Sequence, residues 1–244
     1  MLGAGTIWFG RRWPMDNERY VDPTADERDA FLDAYLAGVA GEGADIMLDC
    51  AAAYGHAEAR LGAMLAARPS WRDRLIVATK WGEDFDVDTE TSVTDHSVDR
   101  LHASFDRSVQ RLGQVDLLYI HRALPEVLQD QAVLEAMVAL RSSRRGGLSM
   151  IGASISRRDS LALAAAGLGV ELDVVQMPAW LFFERPDDVD ALARLGLAIV
   201  VNGPYRTADG LEPRAAYTRL LQAPQAPVIL TGTRHHLMET LDFL

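Results

Sequence analysis

Short apolar runs alternate along this chain with longer segments in which apolar residues recur at helical spacing. The apolar runs predict eight strands, over residues 2–7, 46–49, 75–80, 115–120, 148–153, 173–176, 197–202 and 227–231. The segments between and after them predict helices over residues 26–40, 57–67, 97–112, 129–144, 157–166, 186–195, 211–221 and 235–244. Most strand segments are apolar throughout, as expected for parallel strands that are covered on both faces.

Eight strand–helix units in alternation predict an α/β protein with a parallel sheet. A chain of 244 residues suits a compact (β/α)8 TIM barrel that forms one domain over residues 1–244. An open doubly wound sheet is the alternative, but no G-x-G-x-x-G follows the first strand. The seventh βα connection, residues 203–226, and the C-terminus are short for such a barrel. Residues 8–25 and 81–95 are predicted to be long loops.

Composition excludes several classes of function. The formal net charge is −11 and the sequence pI about 4.9, so a basic surface for nucleic acid is absent. Cys50 is the single cysteine and cannot form an internal disulfide. No apolar run reaches the length of a membrane span, and residues 1–14 lack the pattern of a signal peptide. We therefore expect a cytoplasmic protein without a membrane partner; composition does not indicate an oligomeric state.

Candidate chemistry is concentrated after the second, third and fourth predicted strands. Asp49, Lys80 and His121 end these strands, and Tyr54 lies in the loop after the second. Lys80 is the only lysine among 24 lysines and arginines. In a barrel such strand ends open on one face and converge, although each residue alone could equally be a helix cap or part of the packing. A nearby ammonium lowers the pKa of a phenol, so the group predicts acid–base catalysis at a carbonyl or alcohol.

Several motifs resemble those of the aldo-keto reductases. The pattern Asp49-x4-Tyr54-Gly55-x2-Glu58-x2-Leu61-Gly62 is similar to the signature of that family. Further similar segments are residues 78–80, 112–121, 151–154, 174–176 and 231–234. The resemblance implies a (β/α)8 barrel that reduces aldehydes and ketones of small molecules with NADPH. It also implies that Tyr54 donates the proton and that Lys80 adjusts the acidity of Tyr54. Asp49 would pair with Lys80, and His121 would orient the carbonyl.

The same resemblance implies an NADP(H) site, from which the sequence departs at three places. The implied cofactor-binding residues are Gly5, Thr6, Ser154, Gln176, Tyr205, Gly232, Thr233, Arg234 and Glu239. Family members usually have an asparagine where Ile155 stands, an aromatic residue at Asn202 and an asparagine at Thr240. Residues 232–234 precede the last predicted helix, where an arginine beside a helix N-terminus would bind phosphate. No metal site is expected.

Three tryptophans on loops of the predicted catalytic face, Trp8, Trp13 and Trp81, are candidate contacts for a partly apolar, flat substrate. Ordinary loop packing is the alternative for each. The acidic stretch 83–90 is interpreted as a solvated face. The leading hypothesis is an NADPH-dependent reductase. The alternatives are a cofactor-independent lyase, dehydratase or isomerase, and a non-catalytic binding or regulatory subunit.

Overall fold

The structure is a computed structural model that describes residues 2–12, 20–39, 46–167, 171–204 and 211–232. Its strands are β1 (Leu2–Gly5), β2 (Ile46–Asp49), β3 (Leu75–Trp81), β4 (Glu83–Asp86), β5 (Thr91–Thr94), β6 (Leu117–Ile120), β7 (Met150–Ser154), β8 (Val174–Pro178), β9 (Ala198–Asn202) and β10 (Val228–Thr231). Its helices are α1 (Ala25–Val39), α2 (Ala57–Ala66), α3 (Val98–Leu112), α4 (Pro125–Leu128), α5 (Gln131–Ser143), α6 (Arg158–Ala165), α7 (Ala179–Glu184), α8 (Pro186–Arg194) and α9 (Pro213–Leu221).

Eight parallel strands close into a barrel in the order β1-β2-β3-β6-β7-β8-β9-β10, and β10 pairs with β1. The predicted (β/α)8 TIM barrel is therefore confirmed. Every barrel strand overlaps a segment that the sequence predicts to be a strand, and β2 has the predicted bounds.

Side chains on the barrel strands alternate between the barrel interior and the helices outside. The interior is filled by the buried residues Met47, Ala78, Leu117, Tyr119, Val174, Val200 and Leu230. Gly152 leaves room there, because a Cβ at this position would lie 2.8 Å from the Tyr119 ring. Since the side-chain period of a strand is two, the residues two positions after Met47, Ala78 and Val174 also face inward. These residues are Asp49, Lys80 and Gln176, which lie at the carboxyl end of the barrel.

Helices α2 and α3 pack closely over the outside of β3. Gly62 allows the approach, because a Cβ there would lie 1.8 Å from the backbone oxygen of Arg111. Glu58 on α2 is fully buried and accepts hydrogen bonds from Thr79 at 2.7 Å and Ser108 at 2.6 Å. These bonds fix β3, and with it Lys80, relative to both helices.

The predicted loop over residues 81–95 is wrong in part, because it contains the antiparallel hairpin of β4 and β5. All four residues of β5 are exposed, so this strand lacks the apolar run on which the prediction depended. The sequence pattern also does not predict the short helices α4 and α7. The predicted helix over residues 235–244 lies outside the described residues. Within the described ranges, no helix is long and apolar enough to cross a membrane.

Candidate active site

Lys80 is at the centre of the candidate site, with a side chain that is 1% exposed. Its ammonium donates to Asp49 Oδ2 at 2.6 Å, to the backbone oxygen of Cys50 at 2.9 Å and to the Tyr54 hydroxyl at 3.2 Å. An ammonium has three N–H donors, and all three are used here. The structure thus brings the predicted Asp49, Tyr54 and Lys80 into direct contact.

Asp49 is held from two sides. Its backbone oxygen accepts from the backbone N of Thr6 at 3.0 Å and from the Thr6 hydroxyl at 2.9 Å. Its Oδ1 accepts from Gln176 Nε2 at 2.9 Å. Thr6 is 1% exposed, and Gly5 pairs with Asp49 across the β1–β2 ladder. The structure therefore shows these predicted cofactor residues supporting Asp49.

Burial and charge act in opposite directions on the pKa values of the site. Burial acts to lower the pKa of Lys80, but Asp49 and Tyr54 together outweigh it and the net pKa is raised. Burial raises the pKa of Tyr54, and the opposing effect of Lys80 is partly cancelled by the Asp49 charge, so the net pKa lies above its ordinary value. Lys80 is therefore charged and Tyr54 protonated at neutral pH. The expected effect of Lys80 on the phenol is present, but burial outweighs it.

His121 completes the predicted group of four. It follows β6, and its ring lies edge-on to that of Tyr54 with 6.1 Å between the centroids. Its backbone N donates to Trp81 at 2.8 Å, and its backbone oxygen lies 2.8 Å from His96 Nε2. Burial, followed by the charges of Lys80 and nearby arginines, holds the pKa of His121 well below its usual range. The imidazole is therefore neutral at neutral pH.

Glu83 is a site residue that the sequence reasoning missed. Its side chain is 7% exposed, and its Oε2 lies 3.3 Å from His121 Nδ1. Its Oε1 lies 3.8 Å from an Arg122 guanidinium nitrogen. The interpretation of residues 83–90 as a solvated face is thus wrong at Glu83. A signal was present, since Glu83 comes only three residues after Lys80 and must lie near the same barrel end.

The predicted nicotinamide side continues the hydrogen-bonded chain from Asp49. The Ser154 hydroxyl donates to Gln176 Oε1 at 2.9 Å, and these residues are neighbours across β7 and β8. Asn202 ends β9 and is half-buried. Ile155 is buried in the hydrophobic core. Four predicted cofactor residues, and the departure at Thr240, lie outside the described residues: Tyr205, Thr233, Arg234 and Glu239.

The predicted substrate tryptophans pack against the core where the structure describes them. Trp8 is partly buried, edge-on to Phe9 at 4.6 Å and to Phe31 at 5.1 Å between ring centroids. Trp81 is fully buried, and its ring centroid lies 5.6 Å from that of His96. Trp13 lies outside the described residues. In the part of the chain that the structure describes, no cluster of three histidine, cysteine or acidic side chains could hold a metal ion.

Comparison with known proteins agrees with this geometry. The sequence profile of the aldo/keto reductase family matches residues 1–206. The chain belongs to the aldo/keto reductase family. A 6-dehydroglucose reductase of Novosphingobium aromaticivorans is 33% identical over 211 residues, which are 84% of this chain and 64% of that relative. The chain thus matches less than two thirds of the length of this curated relative.

Solved structures of the family share the fold. A proposed aldo-keto reductase of Pseudomonas aeruginosa aligns with a TM-score of 0.78 and 25% identity, over 99% of this chain and 88% of that one. An aldo-keto reductase of Bombyx mori, solved in complex with NADP, aligns with a TM-score of 0.63 and 16% identity, over 99% and 82% of the two chains. This aldo/keto reductase chain therefore aligns with them along almost its whole length.

Proposed function

We propose that this chain is an NADPH-dependent oxidoreductase that reduces the aldehyde or ketone group of a small organic molecule. One observation carries the proposal: a buried ammonium donates to the Tyr54 hydroxyl while it is neutralised by Asp49 at 2.6 Å. Family membership and the reductase name of the Novosphingobium relative support it.

Tyr54 is the proton donor in this proposal. Its hydroxyl hydrogen passes to the carbonyl oxygen as that oxygen gains negative charge, and the phenolate that remains is stabilised by the adjacent Lys80 ammonium. Asp49 keeps the ammonium in place and compensates its charge. The raised pKa of Tyr54 ensures that the proton is present before the reaction begins.

The residues at the ends of β7 and β8 fit the carboxamide of a nicotinamide. Ser154 is half-buried, and its hydroxyl oxygen retains accepting capacity while it donates to Gln176. A Cβ added at Gly232 would meet no heavy atom of the described residues within 4 Å, at the place where the resemblance implies a phosphate. When bound, the cofactor would supply the hydride. The NADP complex of the Bombyx mori neighbour supports this choice of nucleotide.

A titration and an activity assay test the proposal. The chain has five tryptophans, so NADPH binding is expected to change its fluorescence, and aldehyde reduction is followed by the loss of NADPH absorbance. We expect Tyr54→Phe to bind NADPH like the parent and to lose turnover. Failure of the parent to bind NADPH at millimolar concentration would contradict the proposal.

A second candidate is a cofactor-independent lyase, dehydratase or isomerase. It is favoured by Ile155, whose side chain is buried and provides no amide for a nicotinamide. In this case Tyr54 and Lys80 would transfer protons on the substrate alone. Turnover that requires added NADPH would exclude it.

A further inference from the structure

The turn that follows β6 carries His121 and is held by backbone hydrogen bonds at both ends. The backbone N of His121 donates to the Trp81 oxygen at 2.8 Å, and the backbone N of Ala123 donates to the Ser154 oxygen at 2.9 Å. Arg122 has a φ of 50°, a left-handed conformation that residues with a side chain rarely adopt. Such a conformation persists where the surroundings fix it. The peptide between His121 and Arg122 is therefore the part of this turn that depends most on its contacts.

His96 supports this peptide from the segment before α3. Its Nε2 lies 2.8 Å from the backbone oxygen of His121, which belongs to the peptide that joins His121 to Arg122. A carbonyl oxygen can only accept, so Nε2 carries a proton and donates it to the hydrogen bond. The neutral Nε2–H form and the imidazolium both have this proton, so the hydrogen bond is present in either charge state. It fixes the peptide just before the left-handed residue.

Neighbouring residues set the position of the His96 ring. Gly82 packs directly against it, because a Cβ at Gly82 would lie 2.3 Å from the ring, and the Gly82 φ of 97° also suits glycine. Trp81 lies edge-on to the ring with 5.6 Å between the centroids. The backbone N of Asp95 donates to the Gly82 oxygen at 2.9 Å, which ties the residue before His96 to the same glycine. The donor that His121 meets is therefore held on several sides.

The direction of the His121 ring depends on this turn. The ring is largely buried and stands at 85° to that of Tyr54, with 6.1 Å between the centroids. The peptides on both sides of His121 are fixed, one by Trp81 and the other by His96. A backbone rotation that breaks the bond to His96 would shift His121 against its neighbours, and the ring would move with it.

We propose that His96 is a positioning residue for the reduction: it holds the backbone oxygen of His121 and thereby keeps the His121 ring beside Tyr54. This inference rests on the proposed function, because it assigns His96 to the same site. The Nε2 of His96 is bound to the backbone, so the residue acts through His121 and exchanges no proton with the substrate. Its contribution is an N–H donor in a fixed place, which a side-chain amide of similar length could replace.

Two substitutions of similar length separate the donor from the packing. His96→Gln can place an amide N–H close to the position of Nε2, whereas His96→Met fills similar space and has no donor. We expect His96→Met to lower kcat/KM for an aldehyde about tenfold, mainly through kcat, as the loss of one hydrogen bond would give. His96→Gln should recover most of this loss. NADPH affinity should stay near the parental value in both, because the residues at the ends of β7 and β8 are unchanged.

His102→Met is the matched control, because His102 is exposed on the neighbouring helix α3. It should have the kcat/KM of the parent. Thermal melting followed by circular dichroism gives the temperature below which every variant is folded, and the rates are compared there. A loss that reflects lower stability alone would then not appear in kcat/KM.

NMR of the free protein tests the contact without cofactor or substrate. In the parent labelled with ¹⁵N-histidine we expect Nε2 of His96 to be protonated, and His96→Gln identifies the signal by its loss. The ring protons of His121, identified with His121→Phe, are shifted by the nearby Tyr54 ring and so report its orientation. These shifts should change in His96→Met and stay close to the parental values in His96→Gln.

The outcomes distinguish this inference from the proposed function. An unprotonated Nε2 on His96 in the parent would overturn the hydrogen bond, even where His96→Met does not fold. A His96→Met protein with the parental kcat/KM or the parental His121 shifts would overturn the positioning role, and so would equal losses in His96→Met and His96→Gln. Absence of turnover in the parent would overturn the proposed function, whereas the NMR shifts would still decide whether His96 holds His121.

Discussion

Replacing Lys80 with methionine tests the central ion pair by removing its charge and keeping much of its volume. In the parent, Asp49 Oδ2 accepts from Lys80 and Oδ1 accepts from Gln176. The Asp49 side chain is 4% exposed, so water cannot simply replace the ammonium. In Lys80→Met the carboxylate keeps the Gln176 donor and loses the neighbouring positive charge.

The size of the effect follows from this burial. Removing one partner of a buried ion pair destabilises a protein by about 3–5 kcal/mol, because it leaves a buried charge uncompensated. Neutralising the second partner removes that penalty. We therefore expect Lys80→Met to lose about 3–5 kcal/mol in the free energy of unfolding. The double variant with Asp49→Asn should recover a large part of the loss.

Urea unfolding, followed by tryptophan fluorescence and circular dichroism, measures these free energies. The matched control is Arg12→Met, since Arg12 pairs with Glu90 in solvent with side-chain exposures of 34% and 58%. Its loss should stay within about 1 kcal/mol. A Lys80→Met protein as stable as the parent would refute the reasoning. So would a double variant that is less stable than Lys80→Met.

Three further predictions concern other parts of the molecule. Tyr54→Phe should lower kcat for aldehyde reduction by at least about a hundredfold, because the donated proton is gone; steady-state rates with NADPH measure this, and a kcat near the parental value would contradict it. Gly62→Ala should cost about 1–3 kcal/mol in urea unfolding, since its Cβ would overlap a backbone oxygen of α3 at 1.8 Å. Gly5→Ala is the control for Gly62→Ala, because the nearest atom to its added Cβ would be 3.8 Å away. It should lower the free energy of unfolding by less. Burial raises the pKa of Cys50 to about 12 and that of Tyr35 beyond its usual range. These two side chains therefore lose their protons at a lower pH in the unfolded state than in the folded state. As the pH rises from about 8 to about 11, the urea concentration at the midpoint of unfolding should decrease. A constant midpoint would contradict this.

The barrel could be predicted because its strands are covered on both faces. Segments such as 75–80 and 197–202 have little polar character to obscure the apolar run, and the strands lie where these runs occur. The hairpin gave no such signal, since residues 91–94 are polar and exposed along their whole length. A polar hairpin on the surface depends less on hydrophobic burial than on the hydrogen bonds of its turn. In this hairpin Asp86 accepts from two backbone N–H groups.

The centre of the candidate site could be predicted for a related reason. Asp49 and Lys80 end consecutive strands of a parallel barrel, so their convergence follows from topology. The contact between Gln176 and Asp49 does not follow in the same way. These residues are 127 positions apart, and their hydrogen bond crosses the barrel interior from β8 to β2. Strand periodicity places both on the inward face, but only the closed barrel brings one within reach of the other.

Glu83 marks the limit of sequence reasoning at this site. It begins an acidic stretch in which the later carboxylates serve the surface: Asp84 binds arginines of α3, Asp86 caps a turn and Glu90 pairs with Arg12. Composition gives all of these residues the same solvated interpretation. What distinguishes Glu83 is that β3 continues to Trp81 and the hairpin starts immediately afterwards, which leaves its carboxylate beside His121. The position of Glu83 beside His121 therefore depends on where the backbone turns: its closeness to Lys80 in the sequence indicates the right end of the barrel, but the residue types do not reveal the turn.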